Sequence, residues 1–118
     1  MAQGLQGVRV VELGYRGVAA AYAGKLLADI GATVIKLEPP EGDWTRHYGP
    51  WREGQQGDPE ASGLFVALNA NKRSKIMALD TPEGFEQFAT LIDKADIFIH
   101  DLPPGRTTLK LAPPAAAR

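Results

Sequence analysis

Gly7-Val8-Arg9-Val10-Val11-Glu12-Leu13-Gly14, running on into Tyr15-Arg16-Gly17-Val18-Ala19-Ala20-Ala21-Tyr22-Ala23-Gly24, is the stretch that decides the fold. A β-branched, apolar run that ends at glycine and passes into an alanine-rich helical pattern predicts a strand, a tight turn and a helix whose N-terminus faces the turn. This is the opening unit of an open α/β sheet. Helix N-termini carry unpaired N–H groups and about half a positive charge, so a glycine-permitted turn there is a natural seat for a phosphate or pyrophosphate.

Outward from this unit, strand and helix patterns alternate. In the first helix, expected over residues 18–30, Ala20, Ala21, Ala23, Leu26, Leu27 and Ile30 recur on one face, and Lys25 and Asp29 lie off it. Gly31 falls at the C′ position, where a left-handed conformation favours glycine. Thr33-Val34-Ile35-Lys36-Leu37-Glu38 reads as a second strand, ended by Pro39-Pro40. Strand, helix and strand within about 30 residues make a right-handed βαβ unit with parallel strands. From Glu41 to Ser62 no period fits, and Trp44, Tyr48 and Trp51 stand among Gly, Pro and acidic residues, as expected of a long functional loop. A short helical segment over 63–71 packs Phe65, Val66 and Leu68. A third strand is expected over 75–79, a helix over 81–94 begun by Asp80 or Thr81 as cap with Pro82 and Glu83 in its first turn, and a fourth strand over 97–100. The helix stripe is Phe85, Phe88, Ala89, Leu91 and Ile92. Residues 1–110 read as one Rossmann-like domain, an open parallel sheet of about four strands with flanking helices, and 111–118 as a frayed tail.

Composition narrows the function. With 118 residues, 44% hydrophobic and 23% charged, the chain fits one globular domain. A formal net charge of −1 gives no basis for nucleic-acid binding. The lack of cysteine excludes a disulfide framework, a thiolate metal site and cysteine catalysis. The N-terminus has no basic, then apolar, leader pattern, and no apolar run nears the roughly 20 residues that cross a bilayer, so a cytoplasmic protein without membrane partners is the expectation. Gly14 and Gly17 do not complete a G-x-G-x-x-G, which argues against a nicotinamide fingerprint even though Glu38 lies where a ribose-binding acid would sit. A purely structural turn is an equal reading of this segment. Lys72 and Arg73 follow a loop and are candidates to meet a phosphate, although a basic pair is more often a solvated face. His47 and His100 have no partners at metal-ligand spacing, and no metal is expected.

Val10-Val11-Glu12-Leu13, the run from Ala23 through Gly31-Ala32-Thr33-Val34-Ile35-Lys36-Leu37-Glu38-Pro39-Pro40, Leu68-Asn69-Ala70-Asn71-Lys72-Arg73-Ser74, Thr81-Pro82-Glu83-Gly84, and Ala95-Asp96-Ile97 before Pro104-Gly105 together resemble the N-terminal part of the family III coenzyme A transferases. That family includes formyl-CoA transferase, carnitine CoA-transferase and the α-methylacyl-CoA racemases. The resemblance covers nearly the whole chain in order. It implies a Rossmann-like domain that binds CoA or acyl-CoA, and a dimer of interlocked rings in complete members, so that a homodimer or a partner supplying the rest of the fold is expected. The implied ligand-binding positions are Tyr15, Arg16, Gly17, Val18, Glu38, Lys72, Arg73, Asp101 and Leu102. The family's catalytic aspartate, which carries acyl groups as a mixed anhydride and then a CoA thioester, lies beyond Arg118; Asp101 is not that residue, and the chain by itself is expected to be inactive.

Departures from the family pattern are concentrated at these contacts. Gly17 stands where glutamine is frequent, Pro39 where formyl-CoA transferase has arginine and other members commonly have proline, Asp80 where lysine is usual, and Asp101-Leu102 where Asn-Phe is usual. Weak CoA binding is therefore expected. The competing readings are a non-catalytic binding or interaction domain of a larger assembly and a nicotinamide-dependent Rossmann enzyme.

Overall fold

A computed structural model describes residues 4–15 and 17–102. Arg16, the Pro104-Gly105 turn and the expected tail at 111–118 lie outside the described residues. Along the chain run β1 (Arg9–Leu13), α1 (Ala19–Asp29), β2 (Thr33–Glu38), a 3₁₀ turn (Trp44–His47), α2 (Gly63–Asn69), β3 (Arg73–Ile76), α3 (Pro82–Asp93) and β4 (Ile97–His100). The strands make a single parallel sheet in the order β3-β2-β1-β4, flanked by helices, which is the α/β architecture expected.

The two central strands are nearly continuous in burial because parallel strands are covered on both faces. Alternation sends Val11, Leu13 and Leu37 to one side, where they pack with Met77 and with Phe85, Phe88, Leu91 and Ile92 of α3. Val10 and Val34 point to the other side and pack with Ala28 and Ala32. The same alternation puts Glu12 and Lys36, paired in register across β1 and β2, on the α1 side.

Helix α1 shows its small residues to the sheet: Ala20, Ala21, Gly24 and Ala28 are buried. Here the expected face needs correction, since Leu26 and Ile30 are exposed at 47% and 41% and Leu27 alone of the large residues packs on the sheet-side cluster. The physical reason is the room needed by the long Glu12 and Lys36 side chains, above which only alanine and glycine allow a close helix. The helix ends as expected. Gly31 has φ +109°, its N–H donates to the Ala28 carbonyl, and the Ala32 N–H donates to the Leu27 carbonyl, the paired closure of a Schellman motif.

Three smaller differences concern the later elements. β3 lies at Arg73–Ile76 rather than 75–79, because its ladder is set by pairing with Ile35 to Glu38 of β2, and the apolar run after it turns under α3 instead. Val66 of α2 is exposed, and Ala89 of α3 lies off the packed stripe. α3 is capped by Thr81, whose hydroxyl accepts the Gly84 N–H, with Pro82 and Glu83 in the first turn.

Gly24 tests this packing. A Cβ there would run into the Glu12 carboxylate, which is fully buried and has nowhere to withdraw. Alanine normally stabilises a helix interior over glycine by about 1 kcal/mol, whereas overpacking a filled core costs about 1–3 kcal/mol. The clash is expected to win. Gly24→Ala should lower the unfolding free energy in urea, and a variant as stable as the parent would refute this account of the α1 face.

Candidate ligand cleft

The carboxyl ends of the strands open on a cleft of about 480 Å³. Leu13, Gly14 and Tyr15 enter from the end of β1, Leu37 to Trp44 and His47 from β2 and its loop, Met77 to Asp80 from the segment after β3, and Leu102 from beyond β4. Chain order reverses around β1, whose neighbours are β2 and β4, and open α/β sheets bind ligands at such a reversal.

Behind the cleft lies a charged layer. Glu12 Oε2 is 2.9 Å from Lys36 Nζ, Glu12 Oε1 is 2.5 Å from Lys72 Nζ, and Lys36 Nζ is 3.4 Å from Asp43 Oδ1. Lys72 Nζ also donates to the Ala21 carbonyl and to Asn69 Oδ1, both at 2.8 Å. Burial lowers the Lys72 pKa, and the neighbouring Glu12 offsets that in part. Asp43 caps the 3₁₀ turn, accepting the Thr45 N–H at 3.1 Å and the Thr45 hydroxyl.

Glu38 is the second centre. It accepts Arg46 Nε at 2.7 Å and Nη2 at 2.8 Å, the Asp43 N–H at 2.8 Å and the Ser74 hydroxyl. Burial, the largest single influence, pushes the carboxyl up, but the bonds from Arg46, Ser74 and the Asp43 backbone together outweigh it and hold the group down at about 2. The Arg46 guanidinium is raised by Glu38 against its own burial. It lies 3.7 Å over the Phe65 ring, and its Nη1 donates to the Pro59 carbonyl at 3.0 Å and to Glu60 at 3.3 Å. The long loop is thus folded back on its own domain. Of its aromatics, Trp44 lines the cleft and meets Tyr48 edge to face at 5.5 Å, while Trp51 donates to the Asp58 carbonyl at 2.9 Å.

The expected ligand positions divide into three groups. Tyr15, Glu38 and Leu102 line the cleft, and Asp101 adjoins it through the Tyr15 N–H, which Oδ1 accepts at 2.6 Å. Gly17 and Val18 are exposed on the turn before α1, and the Gly17 carbonyl accepts the Trp44 indole N–H at 3.4 Å. Lys72 and Arg73 are separated from the rest: the Lys72 ammonium is turned inward to Glu12, and Arg73 opens the exposed strand β3, opposite Ile35. Glu12, Lys36, Asp43 and Arg46 were not among the sequence candidates. The available signal was a carboxylate and an ammonium, each flanked by apolar residues in the interior of a strand.

A parallel sheet with helices on its faces, a cleft at its carboxyl edge and a glycine turn leading into its first helix defines a protein of the α/β class. The family model for CoA-transferase family III matches residues 5–117, and the chain belongs to that family. It is 43% identical over 99 residues to the succinate–glutarate CoA-transferase of Agrobacterium fabrum, covering 82% of this chain and 24% of that protein. It is 37% identical over 107 residues to the formyl-CoA:oxalate CoA-transferase of Streptomyces avermitilis, covering 89% and 24%. A crystal structure of a CAIB/BAIF family protein from Brucella suis superposes with a TM-score of 0.83 at 36% identity, covering 98% of this chain and 30% of that one. The chain therefore spans about a quarter of the length of these curated relatives. Among the described residues no helix is long and apolar enough to cross a membrane.

The Glu38 cluster carries a pH signature. A carboxyl whose folded value is about 2 against an ordinary 4.5 adds stability that is complete above the ordinary value and is lost as pH falls through the folded one. Glu38→Gln should be less stable than the parent near neutral pH, and its stability should fall less steeply between pH 4.5 and about 2. Urea midpoints measured across that range check this. Parallel pH profiles for parent and variant would show that Glu38 is not the group responsible.

Proposed function

We propose that this chain is the CoA-binding portion of a family III CoA transferase, with the adenosine diphosphate end of CoA or acyl-CoA laid along the carboxyl edge of the sheet. What supports the reading most is the cleft itself. Leu13, Leu37, Pro39, Pro40, Met77 and Leu102 offer apolar walls to a flat base or a pantetheine arm, and the Trp44 ring stands at its edge. These surfaces fit the uncharged parts of CoA well. They fit its phosphates less well, because Glu41 and Asp80 also line the cleft and the Lys72 ammonium points away from it.

The chain's own residues bind and orient in this reading. Lys36 and Glu38 hold the wall formed by residues 39–47 through Asp43 and Arg46, and the backbone N–H groups at the start of α1 are available to an anion. The nucleophilic carboxylate of acyl transfer comes from outside residues 1–118, supplied by a longer polypeptide or by a partner chain, and a homodimer is one such assembly. Covalent catalysis is lost without its nucleophile. A domain that serves only to bind or to pack within an assembly is the second reading, favoured by the acidic Asp80 where the family usually has lysine.

Calorimetric titration with CoA separates the two. A dissociation constant of roughly 0.1 mM or weaker is expected, equivalent to no more than about 5–6 kcal/mol. Asp80→Lys should tighten it, since a like charge near a phosphate costs on the order of 1 kcal/mol even when solvated. An Asp80→Lys variant whose titration is as flat as the parent's would overturn the CoA reading in favour of a packing role. Turnover of an acyl-CoA by the purified chain would overturn the assignment of the nucleophile.

A further inference from the structure

The two faces of the sheet are covered by helices of opposite surface character. On one side the outward residues of α3 include Glu83, Glu86, Gln87 and Asp93, the polar face of a helix that meets water. On the other side α1 turns outward Val18, Tyr22, Leu26 and Ile30, from 41% to 54% exposed. Spaced four residues apart, they form one row from the N-cap of the helix to its C-cap. Helix α2, which packs beside α1, has no charged residue along Gly63–Asn69 and exposes Val66 and Ala67. The charges that flank the row, Lys25 and Asp29, are bonded to each other at 3.0 Å. Scattered single apolar side chains are ordinary on a surface, whereas an ordered row beside a charge-free helix marks an interaction face.

We propose that the face made by α1 and α2 is where the remainder of a family III transferase docks, through an apolar and uncharged surface of its own, and that the α3 face stays in water. This deepens the reading that the nucleophile comes from outside residues 1–118, and rests on it. Three arguments select that occupant. The chain accounts for 24% of each of the two curated relatives and 30% of the Brucella suis structure, so about three quarters of a relative's length lies outside the matched part and has apolar surface of its own to bury. Permanent interfaces are the more apolar class, and interface cores are depleted in charge, as this face is. A second copy of the chain fits poorly: a row about 18 Å long, crossed by its own copy at about 50°, touches over a few side chains, well short of the roughly 800 Å² per partner that stable pairs bury. An occupant that lies across both helices covers more. At the Val18 end of the row it stands at the carboxyl edge of the sheet, near the cleft to which the nucleophile has to come.

The test places a lysine on each face. Leu26→Lys on α1 and Glu86→Lys on α3 are made in the free chain and in a full-length hybrid in which this chain replaces the matching quarter of the Agrobacterium fabrum relative. Thermal midpoints are read without CoA, and the free chain is also followed by sedimentation velocity over a hundredfold range of concentration. Leu26→Lys is expected to leave the midpoint of the free chain within about 2 °C of the parent's and to lower that of the hybrid by at least about 5 °C, while Glu86→Lys moves neither by more than about 2 °C. Equal shifts from Leu26→Lys in the free chain and the hybrid, whether large or absent, overturn the proposal, as does a hybrid that loses as much from Glu86→Lys. Self-association of the free chain that Leu26→Lys abolishes also overturns it, in favour of a second copy. Should the hybrid not fold, lysines at the matching positions of the intact relative are judged by the same midpoints. The underlying reading fails separately: turnover of an acyl-CoA by the purified chain, or a flat CoA titration, leaves the midpoints as they are.

Discussion

Glu12 and Lys36 face each other across the two central strands with 0% and 1% of their surface exposed, and the rest of the structure is arranged so that neither charge is alone. Two carboxylates, Glu12 and Asp43, and two ammonium groups, Lys36 and Lys72, form a neutral chain of contacts. Taking such groups out of water is unfavourable by several kcal/mol each, and removing one partner of a buried pair typically costs about 3–5 kcal/mol. The network therefore constrains everything that touches it. Helix α1 must present alanine and glycine, α2 must end where Asn69 can receive Lys72, and the loop after β2 must return Asp43 to Lys36.

The same constraint shapes the cleft. Strand β2 offers Lys36 and Glu38 to one face, and each takes a partner from the following loop, Asp43 and Arg46 respectively. Arg46 then gathers Pro59, Glu60 and Phe65, so a segment without regular periodicity becomes a fixed wall. Ser62 completes the closure by donating its hydroxyl to the Thr45 carbonyl at 2.7 Å. A guanidinium fork suits this task because it is planar, permanently charged and bidentate. Trp44 and His47 are carried to the cleft on this support, and the Trp44 indole N–H ties it to the Gly17 carbonyl as well.

The architecture was legible in the sequence wherever local chemistry and tertiary packing agree. β1 and β2 are buried on both sides and read as β-branched runs, Gly31 ends α1 through its left-handed backbone, and Thr81-Pro82-Glu83 starts α3. β3 was misplaced because Arg73-Ser74-Lys75-Ile76 is an exposed edge strand with no hydrophobic signal, and the apolar residues beyond it belong to the α3 core. The cleft was legible as a place, the turn after β1 and the strand ends, but not as a set of side chains. Lys72 looked like surface charge in sequence and is a core cation, a difference created by a strand register that joins residues 12, 36 and 72 only after pairing. Two charges of opposite sign in two apolar strands were the visible trace of that pairing.

The strand order has a consequence for how the chain comes together. β1, near the start, is flanked by β4, near the end, and the Arg9 N–H donates to Asp96 across 87 residues of sequence. β1 with α1 and β2 is a local unit that can form early, but one side of β1 stays open until residues 97–100 arrive. Contacts between such distant segments form slowly, because the entropy of closing the intervening chain must be overcome first. During synthesis the open edge of this buried strand thus waits for β4, and its unpaired backbone groups are exposed to wrong pairing in that interval.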